Sequence, residues 1–271
     1  MICRTTFTVT ILFLFSTLQN SNAQESPAKH ILRATVQIEL RDNANKLLAT
    51  GSGVIVSPDG YILTAKHILA DHFKSPDTTQ VLVRRVDDNL ILLQGSRITE
   101  IIPESFIDIA LLHLPSDGLP FLKIGQSSIL KWDEKLVAYG FGLGSEQVLA
   151  KFGHRSGLTW EVDIPVSDGF SGGPVIKEGC PMLIGIVSGG LQAAGGLIQG
   201  RSKIVPSQFG INLLAQAGVT PSSTLCGETV STVETNTNHK DTAPLEPPLP
   251  CKEVTVTELV NGIRSWSKKC L

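Results

Sequence analysis

The sequence has no run of basic residues and no glycine loop followed by Lys and Ser or Thr. The first absence excludes an electrostatic binder of nucleic acid or anionic membrane. The second excludes a phosphate-cradling nucleotide site. Charged residues make up only 18% of the chain and the formal net charge is −2, with both signs interspersed, so no single-sign field is available for steering. Beyond residue 24 no apolar stretch is long enough to cross a bilayer as a helix. No Cys-x-x-Cys occurs, so the cysteines do not have zinc-ligand spacing. Long 3.6-residue periodicity is almost absent, and there is no internal repeat of the solenoid kind.

What is present begins with a leader. Arg4 precedes an apolar run at residues 9–18 (VTILFLFSTL), and Ser21-Asn22-Ala23 fits a small-x-small cleavage site. Residues 1–23 therefore read as a signal peptide, with the mature chain starting at Gln24 and exported to the periplasm or secreted. No cysteine follows the apolar run, so no lipid anchor and no stable membrane insertion are expected. Cys3 leaves with the leader. Cys180, Cys226, Cys251 and Cys270 remain, an even number in an exported chain, and two disulfides are expected. Three pairings are open; Cys251–Cys270 with Cys180–Cys226 is preferred because the first closes a local tail.

Residues 31–216 read as short strands separated by glycine and proline. Residues 34–40 (ATVQIEL) alternate. Residues 54–56 and 61–63 form a hairpin around Ser57-Pro58-Asp59-Gly60. Further strand-like runs fall at 81–86, 90–93, 107–114, 135–139, 157–162, 174–176 and 183–187. This is an all-β pattern, a barrel or sandwich. The one clear internal helix is 207–216, ended by Gly218. Residues 219–250, rich in Thr, Ser and Pro, read as a linker. Residues 251–271 form a small tail, read as a helix from a Thr255-x-x-Glu258 capping box, with the VTVT run leaving a strand open.

Three polar residues sit beside apolar runs: His67 in TAKHIL, Asp108 in DIALLHL and Ser171 in DGFSGGPV. A serine hydroxyl needs a base to take its proton, and a histidine base needs an orienting carboxylate. Alone, each has an ordinary explanation: a structural histidine, a turn aspartate, a glycine turn. Together, and in this order, the segments resemble the His, Asp and Ser blocks of the trypsin-like, chymotrypsin-fold serine peptidases. GIVSGG (185–190) resembles the strand that lines the specificity pocket.

The resemblance implies two antiparallel six-stranded β-barrels, about 31–118 and 124–216, with the active site between them and a short helix closing the domain. It implies catalysis by Ser171, His67 and Asp108, an oxyanion hole from the backbone N–H groups of Gly169 and Ser171, and no cofactor or metal. Substrate would be a protein or peptide. Substrate-binding positions map to Pro165, Asp168, Ser188, Gly189 and Gly190. With no carboxylate at 165, a small or medium aliphatic residue is expected at the cleaved position. Asp168 is either a pocket-rim residue or a solvated turn aspartate.

The blocks are closest to the bacterial Deg-type branch, to which VDIPVSDGFSGGP and the segment 203–218 are similar. No Arg-Ile-Val-Gly-Gly start accompanies Phe170, so no activation by N-terminal insertion is expected. About 55 residues follow position 216, too few for a PDZ module. Phe170 stands where the family has Asp or Asn, and it either packs beneath the oxyanion loop or leaves that loop misformed. Two other classes share part of this pattern. One is a catalytically silent module that binds extended peptides in the same cleft. The other is an esterase: residues 169–173 satisfy G-x-S-x-G, but that fold needs strand–helix alternation and the order Ser, acid, His.

Overall fold

The computed structural model describes residues 26–221, apart from 88–89, 92–95, 99, 127–129, 158–159 and 194–195, together with 253–260 and 263–270. The leader, most of the linker, Cys226 and Cys251 lie outside the described residues.

The chain enters through α1 (Pro27–Ala34), an eight-residue helix absent from the sequence reading. Its signal is local: the Ser26 hydroxyl accepts from Lys29 N–H, and Pro27 sits where a missing N–H costs nothing. The first barrel then follows: β1 (Thr35–Asp42), β2 (Leu47–Ile55), β3 (Tyr61–Thr64), β4 (Thr79–Asp87), β5 (Leu90–Ile91), β6 (Ser96–Arg97), β7 (Glu100–Pro103) and β8 (Ala110–His113). A 3₁₀ turn (Lys66–Leu69) and α2 (Ala70–Lys74) intervene after β3. The sheet order β4-β1-β2-β3-β8-β7 is antiparallel. β5, β6 and β7 act as one broken strand. β6 pairs with β4, Ile98 N–H bonds to Val81 C=O at 3.2 Å, and β7 pairs with β8. The sheet thereby closes on itself with six strand positions.

The second sheet uses β9 (Lys135–Gly140), β10 (Leu149–His154), β11 (Glu161–Val162), β12 (Pro174–Lys177), β13 (Cys180–Ala193) and β14 (Gly196–Pro206), in the order β10-β9-β12-β13-β14-β11. An Arg155↔Val162 bridge joins its two ends. α3 (Gln208–Gln216) closes the domain. Two six-stranded all-β barrels and a short C-terminal helix are thus the observed architecture.

Side-chain alternation explains why the central strands read as unbroken apolar runs. Ile55, Ile62 and Leu112 point into the first barrel, while their neighbours Val54, Leu63 and Leu111 point the other way. That second set meets Val137, Ile176 and Leu183 of the second barrel, with Ile31 of α1 and Leu213 and Leu214 of α3. Residues 51–55 of β2, with β3 and β8, are therefore buried on both faces. The segment 119–124 runs between the barrels: Leu119 and Leu122 bond to the first, and Ile124 bridges to Leu183 in the second.

The tail corrects the helical reading. β15 (Glu253–Val260) and β16 (Ile263–Cys270) form a hairpin paired from Glu253↔Cys270 to Val260↔Ile263. Its β-branched run Val254-Thr255-Val256-Thr257 favours a strand, and Asn261-Gly262, the dipeptide between the last paired residues, is the strongest short hairpin signal.

Candidate active site

The first barrel supplies an imidazole and a carboxylate. His67 lies on the 3₁₀ turn after β3, and Asp108 just before β8. Because β3 and β8 are paired neighbours, the two residues emerge at the same end of the sheet. Both carboxylate oxygens of Asp108 reach residue 67: Oδ2 bonds His67 Nδ1 at 2.8 Å, and Oδ1 accepts the His67 backbone N–H at 2.9 Å. The loop leading to Asp108 is pinned in turn. The Glu104 carboxylate accepts the N–H groups of Phe106 and Ile107, each at 2.6 Å, and Lys66 Nζ donates to the carbonyls of Glu104 and Ser105.

The electrostatics follow from this pairing. The hydrogen bond with Asp108 raises the His67 pKa above its ordinary 6.5, partial burial opposes the rise, and the charge of Asp108 adds to it. Burial pushes the Asp108 carboxyl up. Hydrogen bonds from the His67 ring, Ser188 and the His67 amide outweigh it and hold the carboxyl below its usual value. The Ser188 bond, Oγ to Asp108 Oδ2 at 2.7 Å, was missed from sequence, where Ser188 was placed only among the substrate-binding residues.

The second barrel supplies Ser171, on the turn between β11 and β12. Its hydroxyl donates to the Ser188 carbonyl at 3.3 Å. The backbone around it has one consistent polarity. Four consecutive carbonyls are each taken: Asp168 by Leu143 N–H (2.7 Å), Gly169 by Ser52 Oγ–H (2.6 Å), Phe170 by Gly173 N–H (2.9 Å) and Ser171 by Ser52 N–H (2.7 Å). Among the described residues the N–H groups of Gly169 and Ser171 have no acceptor. In a trans peptide the N–H points opposite to the C=O. Anchoring the carbonyls of 168 and 170 therefore turns the amides of 169 and 171 to the other side.

Glycine is required here on two counts. Gly169 has φ +92°, and a Cβ would lie 2.2 Å from Phe141 O; Gly172 has φ +83°, and a Cβ would lie 2.1 Å from Ser52 O.

Phe170 resolves the alternative left by the sequence. Its ring is fully buried in the second-barrel core with Leu136, Val175 and Ile184. It occupies space cleared by Gly140 and Gly142, whose hypothetical Cβ atoms would meet it at 3.0 and 2.5 Å. The loop is held from below by packing.

Of the other predicted residues, Pro165 and Asp168 are exposed, and Asp168 takes part through its carbonyl. Ser188, Gly189 and Gly190 lie on β13 where its pairing with β12 has ended. There, among the described residues, Gly189 and Gly190 pair only with Lys203 and Ser202 of β14. A Cβ on Gly189 would meet nothing within 4 Å. One backbone edge beside Ser171 is thus open to an added strand.

A family model described as trypsin-like peptidase domain matches residues 51–186. Three relatives carry the name DegP-like periplasmic serine endoprotease. One from Hahella chejuensis is 33% identical over 181 residues, covering 62% of this chain and 35% of the relative. One from Pseudomonas fluorescens is 31% identical over 147 residues, 50% of this chain and 28% of the relative. One from Pseudomonas putida is 28% identical over 185 residues, 65% and 36% respectively. The chain matches only about a third of the length of these relatives.

Proposed function

The chain belongs to the trypsin-like peptidase family, and from that premise we propose that it is an exported serine endopeptidase acting through an acyl-enzyme on Ser171. The observation that carries this reading is the shared polarity of the nucleophile turn: carbonyls 168–171 are all bound, and the amides of 169 and 171 are free to meet an oxyanion.

The chemistry follows from the atoms. The Ser171 hydroxyl rotates about χ1 from the Ser188 carbonyl toward His67 Nε2, which takes its proton as Oγ attacks the peptide carbonyl carbon. His67 Nδ1–H stays on Asp108, which stabilises the imidazolium. Negative charge gathers on the carbonyl oxygen, facing Gly169 and Ser171 N–H. The C–N bond breaks, and the amine leaves with the proton from Nε2. Water then attacks the ester, His67 takes its proton, and the acid departs as the proton returns to Ser171 Oγ.

No terminal ammonium enters this scheme. Phe170 fills the space beneath the loop, so the site needs no N-terminal cleavage to form. The substrate binds as a strand along Ser188, Gly189 and Gly190, and the absence of a carboxylate at Pro165 favours aliphatic residues at the cleaved position. A peptide panel tests this: valine, alanine or leucine is cleaved at least about tenfold faster than arginine, a difference of about 1.4 kcal/mol in transition-state binding. Fastest cleavage after arginine would remove the aliphatic preference and leave the peptidase reading standing.

The pH profile has a defined sign. The base works only when neutral, and its pKa is raised. Activity therefore rises with pH through a midpoint above 6.5, and Asp108→Asn lowers both that midpoint and the rate. A kcat/KM limb lying below pH 6.5 contradicts the pairing.

Export is inferred from residues 1–23 and from the periplasmic naming of the relatives. An oxidising compartment is supported by Cys180, which is disulfide-bonded. Cys226 is its proposed partner. Cys270, opposite Glu253 in the hairpin, is proposed to pair with Cys251.

A further inference from the structure

Ser52 has no place in the triad, yet four hydrogen bonds converge on it. It lies on β2 and is fully buried. Its hydroxyl donates to Gly169 C=O at 2.6 Å and accepts Phe141 N–H at 2.9 Å. Its amide donates to Ser171 C=O at 2.7 Å, and its carbonyl accepts the Thr64 hydroxyl at 2.7 Å. A serine hydroxyl carries one proton, and here that proton goes to the turn that carries the nucleophile.

The two bonds given by Ser52 fix the peptide on each side of the Phe170–Ser171 link. Phe170 itself has no group with which to hydrogen-bond the loop. The neighbourhood is also shaped around this serine. A Cβ on Gly172 would lie 2.1 Å from Ser52 O, one on Gly140 2.9 Å from Ser52 Oγ, and one on Gly173 3.2 Å from Ser52 Cβ.

We propose that Ser52 is a positioning residue that sets the orientation of the nucleophile turn from the first barrel, a task the apolar side chain at 170 cannot perform. The inference rests on Ser171 being the nucleophile. It adds a specific consequence. The Ser52 carbonyl is held by the Thr64 hydroxyl, and its neighbour Gly53 pairs with Thr64, the last residue of β3 and three residues before His67. The serine and its base are thereby registered to one strand pair, although they come from different barrels.

The test uses the full mature chain with a peptide substrate and a fluorophosphonate. Ser52→Ala lowers kcat and the labelling rate about 10²-fold, as expected for a misplaced reacting group, with KM within about threefold. The midpoint of the acid limb stays put, because the His67–Asp108 pair is untouched. Ser207→Ala is the control: it also removes a buried serine hydroxyl, bonded to Gly125 C=O at 2.8 Å away from the turn. It lowers the melting temperature and leaves kcat within about twofold. If Ser52→Ala does not fold, Thr64→Val replaces it, losing only the bond to the Ser52 carbonyl and lowering kcat about tenfold.

Ser52→Ala, or Thr64→Val in its place, with kcat within about twofold of wild type in folded protein overturns the inference. Wild type that neither cleaves nor labels overturns the peptidase reading, and this inference with it. The two failures are therefore read from different samples.

Discussion

Replacing Ser171 by alanine, or His67 by alanine, lowers kcat for a peptide substrate by about 10⁴–10⁶, and replacing both together costs no more than either alone. In the proposed mechanism the two act as one device. Without the base the hydroxyl keeps its proton; without the hydroxyl the base has nothing to activate. What would remain on that mechanism is stabilisation by the amides of Gly169 and Ser171 and by binding along β13, which neither substitution touches. Asp108→Asn belongs to the same set, with a loss of about 10⁴, because an amide cannot hold both His67 N–H groups as the two oxygens do. Steady-state kinetics on the four proteins measure this. Losses that add in the double variant contradict a shared step and place the two residues in separate roles.

Phe170→Ala destabilises the fold by about 3–5 kcal/mol, the usual cost of emptying a fully buried aromatic site. In a domain of this size each kcal/mol corresponds to roughly 2–4 °C, so the melting temperature falls by about 6–20 °C. The cause is the fit between the ring and the backbone at Gly140 and Gly142. Gly142→Ala tests the same fit from the other side, since its Cβ would lie 2.5 Å from Phe170 Cε2. Gly142→Ala with Phe170→Ala is less destabilising than the sum of the two, because the clash with the ring disappears and only that with Ser167 Oγ, at 2.8 Å, is left. Thermal unfolding of the three variants reads this directly. A Phe170→Ala protein that melts within about 2 °C of wild type would show that the loop does not rest on the ring.

What could be read from the sequence was whatever local patterning carries. The hairpin 54–63, the helix after Ser207 and the strands buried on both faces announce themselves through runs, turns and caps. So do His67, Asp108 and Ser171, each lodged in a distinctive short block. β10 was illegible for a physical reason: Leu149, Ala150 and Phe152 are exposed, so no inward apolar alternation marks it. β14 begins with exposed residues and glycine, and only its last three residues enter the core as a continuous run. In the tail the Thr255-x-x-Glu258 capping box points to a helix and the VTVT run to a strand, and the structure takes the strand.

The contacts that shape the site were beyond reach for a different reason. Ser52 and Gly169 are 117 residues apart in sequence, and Ser188 and Asp108 are 80 apart. Nothing in a Gly-Ser-Gly triplet says that its hydroxyl will meet a turn of the other barrel. Phe170 posed a choice in sequence because its room is made by two glycines some thirty positions earlier. Neither glycine has meaning until β9 is laid beside the nucleophile turn.

The most direct test of the central claim is covalent labelling of the purified mature chain with a fluorophosphonate, followed by peptide mapping. The account predicts one adduct, on Ser171, whose formation speeds up as pH rises through a midpoint above 6.5 and vanishes in His67→Ala. Folded wild-type protein that takes up no label, or that is labelled equally well without His67, would contradict it.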